Sequence, residues 1–253
     1  MADIGKSANG ALSNGAVTTA ASFIHLRVHS AYSLLEGALT VSKIVDFAAA
    51  SNAPAIAITD TSNLFGALEF AQKASKAGVQ PLIGCQLAVD FGASGQGQTP
   101  NHGRKELASY PTMVFIAANK DGYANLVRLV SRAFMETPSG EPVHIEMDWL
   151  EATGEGIIAL TGGMAGPVDE LIESAHDAAL ERMARLKATF GDRLYVEIQR
   201  QQGYSKSHEA KMVSLAYAER LPLVGTNEAF FLKRDDYESH DALLAIAAGA
   251  LMS

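Results

Sequence analysis

Three long polar side chains alternate along an apolar stretch near the start of the chain, and their types allow two kinds of chemistry. His25, Arg27 and His29 are separated by single residues within the segment 23–30, whose composition predicts a buried strand. Residues two apart in a strand point to the same side, so we expect the three side chains to share one direction. Two imidazoles in an H-x-H pattern suit a metal ion, whereas a guanidinium stays protonated and pairs with carboxylates. The residue at the middle position, Arg27, therefore decides between two interpretations, a metal site and an ion-pair network.

Alternating strands and helices must position these groups. Apolar runs predict strands at 23–30, 55–58, 81–89, 113–118, 156–161, 194–198 and 223–225. Periodicity and capping signals predict helices at 41–50, 63–77, 122–134, 178–190 and 207–220, a short helix around Trp149 capped by Asp148, and a last helix from about residue 235. This alternation predicts right-handed βαβ units and a parallel sheet.

Polar residues gather where the predicted strands end, which favours a site at one face of a closed βα barrel. An open doubly wound sheet is the alternative, but the turn after the first strand lacks the glycines that such a fold uses to hold phosphate. The residues at the strand ends are His29, Asp60, Gln86, Thr161, Glu197 and Glu228.

Composition limits the function classes. The 253 residues, 48% of them hydrophobic, are enough for one large α/β domain. The formal net charge of −8 repels phosphate backbones, so the main nucleic-acid contact is not expected here. The single cysteine, Cys85, excludes an internal disulfide and fits a reducing cytoplasm. No apolar run is long enough to span a membrane. Residues 1–21 are predicted to be a mobile tail, and the apolar end of the chain suggests a fragment of a longer protein.

Several segments, in the right order, resemble one family. Residues 25–30 and 32–38 resemble the first motif of the PHP (polymerase and histidinol phosphatase) domain, and residues 55–66 resemble the second. Residues 82–86, 119–126 and 225–231 are similar to the branch at the N-terminus of the alpha subunits of bacterial replicative DNA polymerases. The resemblance covers roughly residues 22–253 and implies a distorted seven-stranded (β/α)7 barrel, in agreement with the independent strand count.

The resemblance also implies a cluster of three metal ions, but the residues at its eight ligand positions have changed. Those positions fall on Arg27, His29, Glu36, Thr61, Gln86, Thr112, Glu228 and Phe230. Only His29, Glu36 and Glu228 are ordinary metal ligands, and too few remain for a cluster. We therefore predict a vestigial cleft, formed by these eight residues and Asp60, that holds no metal, no cofactor and no catalytic residue. Arg27 would replace the metal charge by facing Glu36, Glu228 and Asp60.

Two functions from different classes follow from the resemblance. The first is a non-catalytic structural module of the polymerase alpha subunit, which docks the proofreading exonuclease subunit and reaches DNA only through the parent chain. The second is an active metal-dependent phosphoesterase, acting on pyrophosphate or in 3′–5′ proofreading, for which the ligands would have to be present. Nucleotidyl transfer and its Mg²⁺ would belong to the polymerase part of the parent chain.

Overall fold

The computed structural model describes residues 23–92, 110–200 and 205–250. Its strands are β1 (Ala55–Thr61), β2 (Gln80–Asp90), β3 (Thr112–Ala117), β4 (Ile145–Glu146), β5 (Ile157–Leu160), β6 (Leu194–Ile198) and β7 (Leu223–Gly225). Its α-helices are α1 (Val41–Ala50), α2 (Ala67–Lys76), α3 (Lys120–Glu136), α4 (Met147–Thr153), α5 (His176–Phe190), α6 (Lys206–Glu219) and α7 (Tyr237–Ala248). The predicted tail at 1–21 lies outside the described residues, so it stays a prediction.

The seven strands form one curled sheet in the order β1-β2-β3-β5-β6-β7, with β4 beside β2. The prediction of a wholly parallel sheet is wrong, because β3 runs antiparallel to both of its neighbours, β2 and β5. The pairs β1–β2, β5–β6 and β6–β7 are parallel, as expected. The reversal brings the start of β3, at Thr112, to the edge where the parallel strands end.

The opening segment 23–30 is not a strand of this sheet, which corrects the sequence prediction. It makes only single bridges, from Val28 to Ala229 and from Ser30 to Leu39. Its backbone nevertheless makes hydrogen bonds to the edge strand β1 and to the chain that follows the other edge strand, β7. The amides of Ala57 and Thr59 on β1 donate to the carbonyls of His25 and Val28, each at 2.9 Å, and the amide of His29 donates to the carbonyl of Ala229 at 2.9 Å. The segment therefore connects β1 with the chain that follows β7 and closes the barrel.

Local signals explain most helix ends. The hydroxyl of Thr40 accepts a bond from the amide of Lys43 and caps α1. Helix α2 begins at Ala67, not at residue 63, because the side chain of Asn63 bonds to the carbonyls of Tyr32 and Thr61 and holds a turn there. Asp148 lies inside the first turn of α4, and the N-cap position belongs to Glu146, whose side chain makes no capping bond.

The main apolar core lies between the sheet and helices α3 to α6, and a second cluster lies between β1, α1 and α2. Fully buried members of the first include Phe115, Leu126 and Phe190, and of the second Phe70 and Ala48. Burial of this kind contributes about 25 cal/mol per Å² of apolar surface. None of the helices in the described part of the chain is both long and apolar enough to cross a lipid bilayer.

Candidate functional site

A buried arginine occupies the centre of the cleft where the parallel strands end. Arg27 is 1% exposed, and its guanidinium donates on three sides. Nε donates to Gln86 Oε1 at 3.0 Å, and Nη1 donates to the carbonyl of Gly162 at 3.0 Å and lies 3.5 Å from Glu197 Oε1. Nη2 pairs with Glu228 Oε1 at 2.9 Å. A buried cation needs this degree of pairing, because an uncompensated charge in an apolar interior is very costly.

Glu228 lies against two side chains, Arg27 and His29. Its Oε1 also lies 3.2 Å from His29 Nε2, and its side chain is 17% exposed whereas that of His29 is fully buried. Burial by itself raises the pKa of Glu228, but the close approach of His29 and the positive charge of Arg27 more than offset this, so the pKa lies below its ordinary value. The carboxylate is therefore charged at neutral pH and lies against both Arg27 and His29.

Glu197, near the end of β6, is the second carboxylate that faces Arg27. It is fully buried, and all its contacts are internal. Its Oε2 accepts from the amide of Gly162 at 2.9 Å, while Oε1 accepts from the hydroxyl of Thr226 and from Gln199 Nε2 at 3.2 Å. The sequence prediction placed Glu197 at a strand end without assigning it to the site. One carboxylate within the apolar run Leu194–Ile198 was the signal that could have identified it.

The other two acidic residues do not face Arg27, which corrects the sequence prediction. Asp60 accepts three bonds, from the amide of Ser30 at 2.6 Å, the Ser30 hydroxyl at 2.8 Å and the Ser33 hydroxyl at 2.7 Å. Glu36 accepts from the hydroxyl of Thr61 at 2.6 Å. Both carboxylates therefore fix the loop that follows the opening segment and leave the guanidinium to Glu197 and Glu228.

His29 lies between the Arg27–Glu228 pair and the hydroxyl groups that bind Asp60 and Glu36. Its Nδ1 lies 3.2 Å from Ser33 Oγ and 3.3 Å from Thr61 Oγ1, and its ring stacks on Phe230 with centroids 4.3 Å apart. His25 is not part of this network, although it shares the alternation: its ring lies edge-on against Phe23 and Phe47, and burial lowers its pKa. The common direction predicted for the three side chains is thus supported for Arg27 and His29 alone.

The remaining predicted position, Thr112, lies beside Gly162. A Cβ atom built on Gly162 would stand 1.9 Å from the Thr112 carbonyl oxygen, so the two backbones touch. The hydroxyl of Thr112 is buried and has no hydrogen-bond partner among the residues that the structure describes. Contacts therefore link the predicted positions to one another around Arg27, His29 and Gly162. Within the ranges 23–92, 110–200 and 205–250, no group of three or more His, Cys, Asp or Glu side chains is placed to hold a metal ion.

The sequence matches the model of a known family. Residues 25–201 match the family model described as PHP domain, so the chain belongs to the PHP domain family. This confirms the resemblance that the sequence motifs indicated.

The similar proteins reported next are all alpha subunits of bacterial DNA polymerase III. The chain is 42% identical over 236 residues to DNA polymerase III subunit alpha of Caulobacter vibrioides, which covers 91% of this chain and 20% of the relative. It is 33% identical over 229 residues to the subunit of the same name from Escherichia coli, covering 90% of this chain and 19% of the relative. The chain thus spans about a fifth of the length of the relatives it matches.

A solved structure supports the fold. A putative metal-dependent phosphoesterase from Bifidobacterium adolescentis superposes with a TM-score of 0.50 at 11% identity, over 87% of this chain and 96% of the other. At that identity the likeness concerns the fold alone. Together with the curled sheet it confirms the predicted class, a distorted α/β barrel of PHP type.

Proposed function

We propose that the chain is the N-terminal PHP domain of a bacterial DNA polymerase III alpha subunit and serves DNA replication in the cytoplasm as a non-catalytic structural and docking module. The observation that carries the proposal is the position of Arg27, whose guanidinium sits between two carboxylates at the centre of the cleft. It joins groups from the opening segment, β2, β6 and the segment after β7. Its role is to hold the barrel together where active relatives would use metal ions.

The contacts that the cleft residues make with one another support the absence of a bound metal ion. A guanidinium at about 4 Å from a cation costs about 4 kcal/mol per unit charge product at an effective dielectric constant of about 20. The three residues that could be ligands are already engaged: Glu228 binds Arg27 and His29, and Glu36 accepts from Thr61. These residues therefore do not fit a metal cluster.

Metal analysis tests this part of the proposal. After dialysis, elemental analysis is expected to find far less than one zinc, manganese or iron ion per chain. Hydrolysis of a chromogenic phosphate ester with added manganese is expected to stay at background. One bound metal per chain would contradict the absence of metal. Hydrolysis that His29→Ala abolishes would establish the alternative, an active phosphoesterase, because a contaminating enzyme would not respond to that substitution.

The docking role concerns the outer surface. The net charge of −8 favours encounter with basic protein segments and disfavours DNA phosphates. We propose that the proofreading exonuclease subunit binds this domain, and that polymerisation, its Mg²⁺ and the DNA contacts belong to the rest of the alpha subunit. Titration of the purified exonuclease subunit against the chain, followed by sedimentation velocity, tests the contact. If neither this chain nor the intact alpha subunit shifts the exonuclease boundary, the docking role is wrong.

A further inference from the structure

Helix α7 is apolar over its second half, yet it packs little against the domain. Residues 242–248 include no polar or charged side chain, but Leu244 is 41% exposed and Ile246 is 70% exposed. His240 is the buried residue of the helix. In the described part of the chain, no α7 side chain belongs to a hydrophobic cluster. A helix that is apolar all round normally lies inside a protein, so this one has apolar surface that the described domain leaves uncovered.

His240 attaches the start of α7 to the cleft. Its Nε2 donates to the carbonyl oxygen of Glu36 at 2.8 Å, and its ring centroid lies 5.6 Å from that of Phe230 and 5.0 Å from that of Phe231. Because a carbonyl oxygen only accepts, Nε2 carries a proton. This contact fixes the first turn of the helix and leaves the turns at 242–248 exposed to an outside surface.

We propose that the exposed apolar surface around the last turns of α7, called the α7 face and formed by Leu244, Ile246, Ala247 and Ala248, packs permanently against the part of the polymerase chain outside these 253 residues. The inference rests on the proposed function. The similar polymerase subunits are about five times as long as this chain, which covers 18–20% of them, so ample polypeptide exists to cover the face.

The chemistry of the α7 face selects this occupant over others. The face offers no charge with which to steer or release a partner, although the domain carries a net charge of −8 elsewhere. Interfaces that dissociate have polar rims, whereas permanent ones resemble a domain core cut in half. DNA and a dissociable subunit therefore fit poorly, and an apolar surface of the same polypeptide fits well.

Hydrogen exchange compares the helix in the two settings. Amide exchange of residues 237–248 is measured in the 253-residue chain and in the complete alpha subunit that contains it. We expect exchange of the α7 amides to be slower by about tenfold or more in the complete subunit, while α6 changes little. Equal exchange of α7 in both chains would overturn the inference.

A pair of substitutions identifies the occupant. Ile246→Asp is expected to leave the melting temperature of the 253-residue chain unchanged and to lower that of the complete subunit. The matched control, Tyr217→Asp, changes a side chain on α6 that is 74% exposed and should be neutral in both. A 253-residue chain that sediments as a dimer, and becomes monomeric with Ile246→Asp, would show instead that a second copy covers the face. The sequence of the complete natural chain tests the polymerase assignment separately.

Discussion

Removing the guanidinium of Arg27 should destabilise the protein more than any other single change of a charged side chain. In Arg27→Ala, four acceptors lose one donor each: Gln86 Oε1, the Gly162 carbonyl, Glu228 Oε1, and Glu197 Oε1, which keeps its bonds from Thr226 and Gln199. A buried acceptor without a partner costs about 1–3 kcal/mol. Water that enters the space left by the guanidinium would bond to some of these acceptors and lower the total cost. Breaking a buried ion pair from one side typically costs about 3–5 kcal/mol, which is the loss expected here.

The loss should depend on pH in a defined direction. Burial raises the pKa of Glu228, but His29 and Arg27 lower it below its ordinary value of 4.5. A lowered pKa in the folded state contributes stability above the ordinary pKa, and this contribution disappears as the pH falls through the lowered value. Arg27→Ala deletes part of that contribution, so the difference between the two proteins should be largest near pH 7 and smaller near pH 4.

Urea unfolding at the two pH values measures both quantities. The matched control is Arg200→Ala, which removes an arginine that is 81% exposed and paired with Glu209; it should cause no measurable loss. Arg27→Lys should lie between wild type and alanine, because an ammonium group cannot reach all the acceptors of the planar fork. A small loss for Arg27→Ala that is equal at both pH values would refute the reasoning and mean that Arg27 lines a hydrated cleft.

Three further predictions concern single residues. Glu228→Gln should flatten the fall in stability between about pH 5 and pH 3, as measured by urea midpoints, because the residue with the lowered pKa is gone; an unchanged pH profile would contradict this. Gly162→Ala should destabilise the protein strongly in thermal unfolding, because φ is +90° and the added Cβ would meet the Thr112 carbonyl oxygen at 1.9 Å, whereas Gly225→Ala, with open space around it, should be mild. Cys85 should stay unreactive towards a thiol reagent in the native protein and react in denaturant, because burial raises its pKa far above the usual range; rapid labelling of the native chain would contradict this.

Local signals predicted the elements better than they predicted the pairing. Helix α1 and strands β6 and β7 have the predicted bounds, because a capping hydroxyl or an apolar run defines each one within a few residues. The antiparallel direction of β3 and the bridging role of the opening segment depend on partners distant in the sequence, which periodicity does not report. The cleft residues were found through motifs, but the carboxylate that faces Arg27 from β6, Glu197, became evident only from the packing.

The bridge between Val28 and Ala229 has a consequence for the order of folding. These residues are about 200 positions apart, so the entropy lost in joining them is large and their contact forms after local structure. At about 5–20 residues per second, synthesis separates their appearance by about 10–40 s. For most of that time the guanidinium of Arg27 lacks both Glu197 and Glu228. We expect the ion-pair network to form last, so that burial of Arg27 marks the moment at which the barrel is complete.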